Sequence, residues 1–430
     1  MVAKSNKLLT SLAGLLVAAL LGVVPTVASA TAPTAATVDA LVDRVGKHSG
    51  AYVYDVTAGK MLAAKSAGVK RILASNTKIF TATAALDRYG PDGRFQTTLW
   101  TDGTIANGEI TGNLYLRGGG DPLFGSTDYV KKNFGSNATV EQLALNVLSA
   151  GISRISGRVY ADESAFDAKR GTAPYGYSRS WEIGGQLSAL IFNKGIDHGK
   201  FQKDPPAFAA TKMRSALKSA GVVVDGSSGV KQMPVTATRV AFVQSLPMSQ
   251  IVRQMDKPSN NYLAEMLIKG LAMPLAPDPT TGAAAPPAST SPATTRAGAG
   301  AARRYAAGEG SRVKLADGSG LSRSDIAAPR EVVDLLTSVS KNDTIFDPFN
   351  LSLPIPGVDG TLYKRMKGTQ ASKRCHAKTG TLSNVSALSG ICTTGGDHRV
   401  AFSILQNRVY PISAHTIQDR IVTTIARLGG

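Results

Sequence analysis

The chain is 430 residues long, 43% hydrophobic and 18% charged, with a formal net charge of +18. At roughly 100–200 residues per domain the length allows two to four domains, and a wholly disordered chain is excluded because disorder requires low hydrophobicity with high charge. The positive balance suits an anionic partner, whether nucleic acid, an acidic membrane surface or a cell wall rich in carboxylates and phosphates.

Lys4 and Lys7 precede an uncharged apolar run over residues 8–24; Pro25 ends it, and Ala28-Ser29-Ala30 offers a small-x-small cleavage site. Residues 1–30 thus have the layout of a secretory signal peptide, with an uncleaved membrane anchor as the alternative that the proline and the cleavage site disfavour. No cysteine lies near that site, so a lipoprotein anchor is excluded, and no later stretch approaches the ~18 apolar residues of a spanning helix. The mature chain is expected to be exported, either secreted or wall-associated, where nucleic acid is not its partner. Without the two lysines it keeps a net charge of +16.

Val38, Leu41, Val42 and Val45 share one helical face; residues 51–56 read as a strand, Ala58-Gly59 as a turn and residues 61–63 as a returning strand. A strongly apolar helix is expected over residues 75–86. From 89 to 246 the texture changes to short β-rich pieces (97–100, 113–116) between glycine-rich turns, with helices over 140–150 and 206–220, as in an inserted module of mixed α/β character. Residues 273–296 are rich in Pro and Ala with few charges, which predicts a mobile loop, with helix resuming near Ala297. Beyond it lie an amphipathic helix over 331–339, paired strands over 374–378 and 386–393, a strand over 400–405 and a closing helix over 414–428. The expected organisation is one discontinuous domain from residues 38–88 and 247–430, with 89–246 inserted.

A serine nucleophile needs a base within hydrogen-bond reach, and a Lys three residues later on a helix supplies one. Five Ser-x-x-Lys pairs occur: Ser75/Lys78, Ser215/Lys218, Ser228/Lys231, Ser311/Lys314 and Ser338/Lys341. Only Lys78 is the sole charge between Arg71 and Asp87. Burial would lower its pKa and favour the neutral amine that can deprotonate Ser75; the plainer reading is a single snorkelling lysine. Ser259-Asn260-Asn261 precedes an apolar helical run and offers a hydroxyl and an amide, although an ordinary N-cap would use the same residues. Lys378-Thr379-Gly380-Thr381 ends a strand-like run on which His376, Lys378 and Gly380 share a face. Its lysine suits a carboxylate, and its glycine admits close approach to the backbone.

Ser-x-x-Lys, Ser-x-Asn and Lys-Thr-Gly, in that order, are the set of the serine penicillin-recognising enzymes. The chain resembles the class C low-molecular-mass penicillin-binding proteins, the D-alanyl-D-alanine carboxypeptidase/endopeptidase family, over about residues 38–428. The 184 residues from Ser75 to Ser259 match the extra domains that distinguish that class. Gly118-Gly119-Gly120-Asp121-Pro122, Asp204-Pro205-Pro206-Ala207-Phe208 and Asp317-Gly318-Ser319-Gly320-Leu321-Ser322 are also similar to family segments. Asn260 stands where Asp is common, and the Pro-rich segment looks like an insertion.

The resemblance implies an α/β (α+β) transpeptidase/β-lactamase-like domain, an antiparallel sheet with flanking helices, interrupted by inserted mixed α/β domains. It implies Ser75 as the acylated nucleophile, Lys78 as its base and Ser259 as the proton relay to the leaving amine. Asn261 would hold the substrate amide and Lys378 would lend positive potential, with Thr379 and Thr381 near the terminal carboxylate. The backbone N–H groups of Ser75 and Thr381 would form the oxyanion hole. The implied substrates are peptidoglycan stem peptides ending in D-Ala-D-Ala, with β-lactams as covalent inhibitors and no cofactor. No metal is expected, since the five histidines lack ligand spacing. A β-lactamase-like hydrolase, a general esterase and a catalytically inactive wall-binding protein are the rival readings. Finally, a hairpin turn centred on Ser383-Asn384 sets Cys375 opposite Cys392, on the face away from Lys378. In an oxidising compartment this predicts a disulfide, with two buried thiols as the alternative.

Overall fold

The apolar face of Val38, Leu41 and Val42 forms as a helix, α1 (Ala35–Val42), with all three residues buried. The computed structural model describes residues 32–135, 138–274 and 291–429, so the expected signal segment lies outside the described residues. Two antiparallel strands follow, β1 (Ser49–Asp55) and β2 (Lys60–Lys65). The apolar helix α2 (Thr77–Tyr89) buries every residue from Thr77 to Leu86, as a helix does when other elements surround it. It begins two residues later than the pattern suggests. Ser75 lies in a 3-10 turn, Ala74–Asn76, where the chain bends out of the short strand Arg71–Ile72 and Ala74 takes a left-handed φ of 48°.

The middle of the chain builds β3 (Gln96–Thr101), β4 (Leu114–Gly118), α3 (Val140–Ser149), β5 (Val159–Asp162), α4 (Pro205–Ser219), β6 (Ser228–Val230) and β7 (Thr238–Gln244). Its sheet runs β6-β5-β4-β3-β7, with β5 parallel to both neighbours and the other pairs antiparallel. Thr139 and Asp204 cap α3 and α4 by accepting from Gln142 N and Ala207 N. Leu99, Leu116 and Val159 of the sheet share one core with Leu143, Val147, Met213 and Leu217 of those helices.

The last part contains α5 (Met248–Asp256), α6 (Asn261–Gly270), α7 (Thr295–Gly308), α8 (Pro329–Val339) and α9 (Phe346–Ser352). Three strands, β8 (Cys375–Leu382), β9 (Val385–Thr393) and β10 (Arg399–Asn407), and the closing helix α10 (Pro411–Ala426) complete it. Of the expected loop over 273–296, residues 275–290 lie outside the described residues. Its C-terminal end is tied down, for Ala293 N donates to Ala165 O at 2.9 Å. Thr294 Oγ1 then accepts from Ala297 N at 3.0 Å, which is why α7 starts at Thr295 and not near Ala297.

The two chain ends share one antiparallel sheet in the order β8-β9-β10-β1-β2. Period-two alternation splits its residues between two cores. Ala387, Ile391, Ala401 and Leu405 pack with α2, α5, α6 and α8, while Leu388, Phe402 and Ile404 pack with α1 and α10. This is the α/β arrangement expected, with flanking helices on an antiparallel sheet and mixed α/β structure between its halves. Lys378-Thr379-Gly380-Thr381 is interior to β8 and does not end it, because pairing with β9 continues to Leu382↔Val385. The same register sets Cys375 opposite Cys392, with their sulfurs 2.04 Å apart.

Candidate active site

Three local structures meet above the core. The first is the turn that carries Ser75 at the N-terminus of α2. The second is the turn before α6, where Ser259 takes a left-handed φ of 59° and Asn260 caps the helix by accepting from Leu263 N at 3.1 Å. The third is β8, an edge strand of its sheet. Asn76 Nδ2 donates to Lys378 O at 3.0 Å and so ties the first to the third. Gly380 makes the approach possible, since a Cβ there would lie 2.7 Å from Leu73 O. Gly320, at φ 84°, packs against the other side of the Ser75 turn, where a Cβ would come within 1.9 Å of Ala74 O.

Lys78 Nζ is fully buried and donates to Ser75 Oγ at 3.0 Å, Asn261 Oδ1 at 2.7 Å and Ser319 O at 2.7 Å. Lys378, also buried, donates to Ser259 Oγ at 2.9 Å and Thr379 O at 3.1 Å. Asn261 Nδ2 donates to Glu182 O at 2.8 Å, which fixes the amide's orientation and brings the inserted segment to the rim. Thr379 Oγ1 lies 2.7 Å from Thr361 Oγ1, and Thr381 is exposed. Ala377 N reaches outward from β8 to Pro354 O at 2.9 Å; by the two-residue alternation of a ladder, the N–H groups of Thr379 and Thr381 face the same open edge.

Burial lowers the Lys78 pKa to about 7, helped by the nearby Lys378 charge and opposed by Asp256, Glu265 and Asp317. A neutral Lys78 can donate two N–H bonds, to Asn261 and Ser319, and still turn its lone pair to the Ser75 hydroxyl. Burial also pushes the Lys378 pKa down, against the pull of Asp256. Behind Lys78, Glu265 Oε1 accepts from Gly318 N at 3.2 Å and Ser319 N at 2.8 Å, holding the turn whose carbonyl receives Lys78. Burial and the neighbouring Asp317 push the Glu265 carboxyl up. Such an arrangement can take a proton from a serine, return it elsewhere, and offer an ammonium and two N–H groups to an anion.

The sequence-predicted residues Ser75, Lys78, Ser259, Asn261, Lys378, Thr379 and Thr381 therefore converge, while Cys375 and Cys392 sit toward the far end of the β8–β9 hairpin. Of the competing Ser-x-x-Lys pairs, Ser215 Oγ turns back to Thr211 O at 3.1 Å, Ser228 Oγ lies 3.0 Å from Thr211 Oγ1 and Ser338 Oγ donates to Glu309, while Ser311 Oγ is buried without a hydrogen-bond partner among the described residues. Sequence reasoning missed Asn76, Thr361, Glu182 O and the buried acids Asp256 and Glu265. Glu265 is the only charge among Tyr262, Leu263, Ala264, Met266 and Leu267, the same signal that singled out Lys78. Asp256 gives none, since Met255-Asp256-Lys257 reads as an ordinary solvated helix end.

The family model described as D-Ala-D-Ala carboxypeptidase 3 (S13) matches residues 34–182 and 175–428. A D-alanyl-D-alanine carboxypeptidase of Actinomadura sp. (strain R39) is 28% identical over an alignment 469 positions long, covering 90% of this chain and 82% of that protein. A carboxypeptidase DacB of Mycolicibacterium smegmatis is 29% identical over 395 aligned residues, covering 88% and 80%. Among solved structures, penicillin binding protein 4 (dacB) from Haemophilus influenzae superposes with a TM-score of 0.69 at 22% identity, over 90% of this chain and 97% of that one.

Proposed function

The chain belongs to the D-Ala-D-Ala carboxypeptidase 3 (S13) family, and from that premise we propose that it is a serine D-Ala-D-Ala carboxypeptidase acting on peptidoglycan stem peptides through an acyl-enzyme on Ser75. The observation that carries the reading is the 3.0 Å contact between Ser75 Oγ and the Nζ of a buried lysine whose pKa is lowered to about 7. Neutral Lys78 takes the Ser75 proton as Oγ attacks the penultimate D-Ala carbonyl. The N–H groups of Ser75 and Thr381 receive the developing oxyanion. Lys78 returns the proton through Ser259 to the departing D-alanine amine, and water then cleaves the ester. Asn261 holds the peptide amide, and Lys378 with Thr379 and Thr381 receives the terminal carboxylate. Cleavage of a cross-link is the same chemistry with a different amine leaving, and a β-lactam acylates Ser75 while its leaving group stays attached.

The test is the intact mass of residues 31–430 after benzylpenicillin, alongside release of D-alanine from a peptide ending in D-Ala-D-Ala. A persistent one-to-one adduct with D-alanine release is the expected result. Rapid penicillin destruction without an adduct points to a β-lactamase-like hydrolase. Intact penicillin with neither adduct nor product points to an inactive wall-binding protein.

The same reading covers the rest of the chain. Residues 1–30 act as an export signal, and the +16 mature chain works outside the cytoplasm against an anionic wall. No helix among the described residues is long and apolar enough to cross a membrane. Residues 38–88 and 247–430 form the peptidase domain and 89–246 the inserted one. Cys375 and Cys392 form a disulfide in that compartment. Thiol titration of the exported protein under denaturing, non-reducing conditions is expected to find no free thiol before reduction and two after; two before reduction overturns the bridge.

A further inference from the structure

Residues 353–362 border the open edge of β8. Pro354 O takes the outward N–H of Ala377 at 2.9 Å, so the segment covers the strand just short of Thr379. Both its ends are fastened to the turn that carries Ser259, through Lys257. Lys257 Nζ donates to Leu353 O at 2.7 Å and to Asp359 Oδ2 at 2.6 Å, and Asp359 Oδ1 accepts in turn from Ile355 N at 2.8 Å. Thr361 N donates to Lys257 O at 3.0 Å. Gly360, at φ 57°, packs so closely that a Cβ there would lie 2.5 Å from the same carbonyl. The clamp leaves Thr361 exposed beside Thr379, their Oγ1 atoms 2.7 Å apart, and neither hydroxyl has another partner among the described residues.

We propose that Thr361 is a positioning residue for the terminal carboxylate: its hydroxyl donates to Thr379 Oγ1, which frees the Thr379 proton for the substrate's carboxylate. The inference rests on the reading of Ser75 as nucleophile and Thr379 as a carboxylate ligand given above. Two hydroxyls in contact use one of their two protons on each other and have one to spare. Without a substrate either can be the donor. A carboxylate bound at Thr379 selects the order Thr361 to Thr379 to anion, in which the last bond is charge-assisted and the first reinforces it. A neutral group in the same place gains less from the chain. Thr361 therefore acts on the recognition of a free C-terminal carboxylate, and not on proton transfer at Ser75, whose hydroxyl is held by Lys78.

The experiment compares acylation by benzylpenicillin and by its methyl ester in the native chain, Thr361→Val and Thr361→Ser, with KM and kcat for D-alanine release from a peptide ending in D-Ala-D-Ala. Valine keeps the branched shape and the N–H that holds Lys257 O, and removes only the hydroxyl. Thr361→Val is expected to slow acylation by benzylpenicillin about 5–10-fold and by the ester less than about twofold. For the peptide, KM is expected to rise by a similar factor with kcat little changed. Thr361→Ser, which restores the hydroxyl, is expected to recover most of both. Equal losses with acid and ester would mean that valine distorts the Ser259 turn, and would overturn the role of Thr361, as would no loss with either. A native chain acylated equally fast by acid and ester overturns the carboxylate reading of Thr379 and this role with it. One that neither compound acylates overturns Ser75 as the nucleophile.

Discussion

Ser75→Ala is expected to yield a folded chain that carries no benzylpenicillin adduct and releases D-alanine at least about 10⁴-fold more slowly, the scale on which losing a nucleophile from a cooperating catalytic group is felt. Folding should survive because the change removes one partly buried hydroxyl from a turn held by other contacts. Asn76 still reaches Lys378 O, and Gly380 and Gly320 still pack against the backbone on either side. Lys78 loses one of three partners and keeps Asn261 Oδ1 and Ser319 O. The backbone N–H of residue 75 remains, so a D-Ala-D-Ala peptide should still bind, and a slow non-covalent association is the residue of function to look for. Intact mass and D-alanine release settle it together. An adduct that persists in Ser75→Ala would move the nucleophile to another residue.

Much of this site was legible in the sequence because its chemistry is written in residues out of keeping with their surroundings. Lys78 is the sole charge between Arg71 and Asp87, in an apolar stretch of helix, and it is fully buried. The hairpin was legible to the residue: alternation and the Ser383-Asn384 turn set Cys375 against Cys392, and the structure has that register. What was not legible depends on contacts across the chain. Ser75 looked helical because the pattern after it is helical. The 3-10 turn that lifts it out exists because Gly320 and Gly380, over 240 residues away, press against its backbone. The extent of β8 was underread for a similar reason, since Gly380 interrupts the strand character of the two threonines and the segment is held extended by pairing with β9. Asp256 was invisible altogether. Its neighbours in sequence suggest a solvated helix end, and it is the packing of α9 against it that removes the water.

Lys78→Met carries the second large effect. Acylation by benzylpenicillin is expected to fall by about 10³–10⁴-fold while Ser75 stays in place, because a general base contributes on that scale and no second amine touches Ser75 among the described residues. Methionine matches the length of the lysine stem and suits full burial, so the loss should not be a folding defect. The native chain should also show the lysine in two pH dependences that the variant lacks. With the Lys78 pKa at about 7 in the folded chain, acylation should rise through that pH as the amine becomes neutral. Stability carries the same signature. The folded-state value lies below the ordinary 10.5, so between about pH 7 and 10.5 the unfolded chain binds the extra proton, and stability rises with pH across that window. Each unit of that difference is worth about 1.4 kcal/mol, which puts the whole rise at several kcal/mol before coupling to Lys378 and the buried acids reduces it. Thermal melts of native chain and Lys78→Met between pH 7 and pH 10 are expected to converge at the alkaline end less through loss in the variant than through gain in the native chain. A native melting temperature flat across that range would mean that Lys78 is charged in the folded state, and the base would then have to be sought elsewhere.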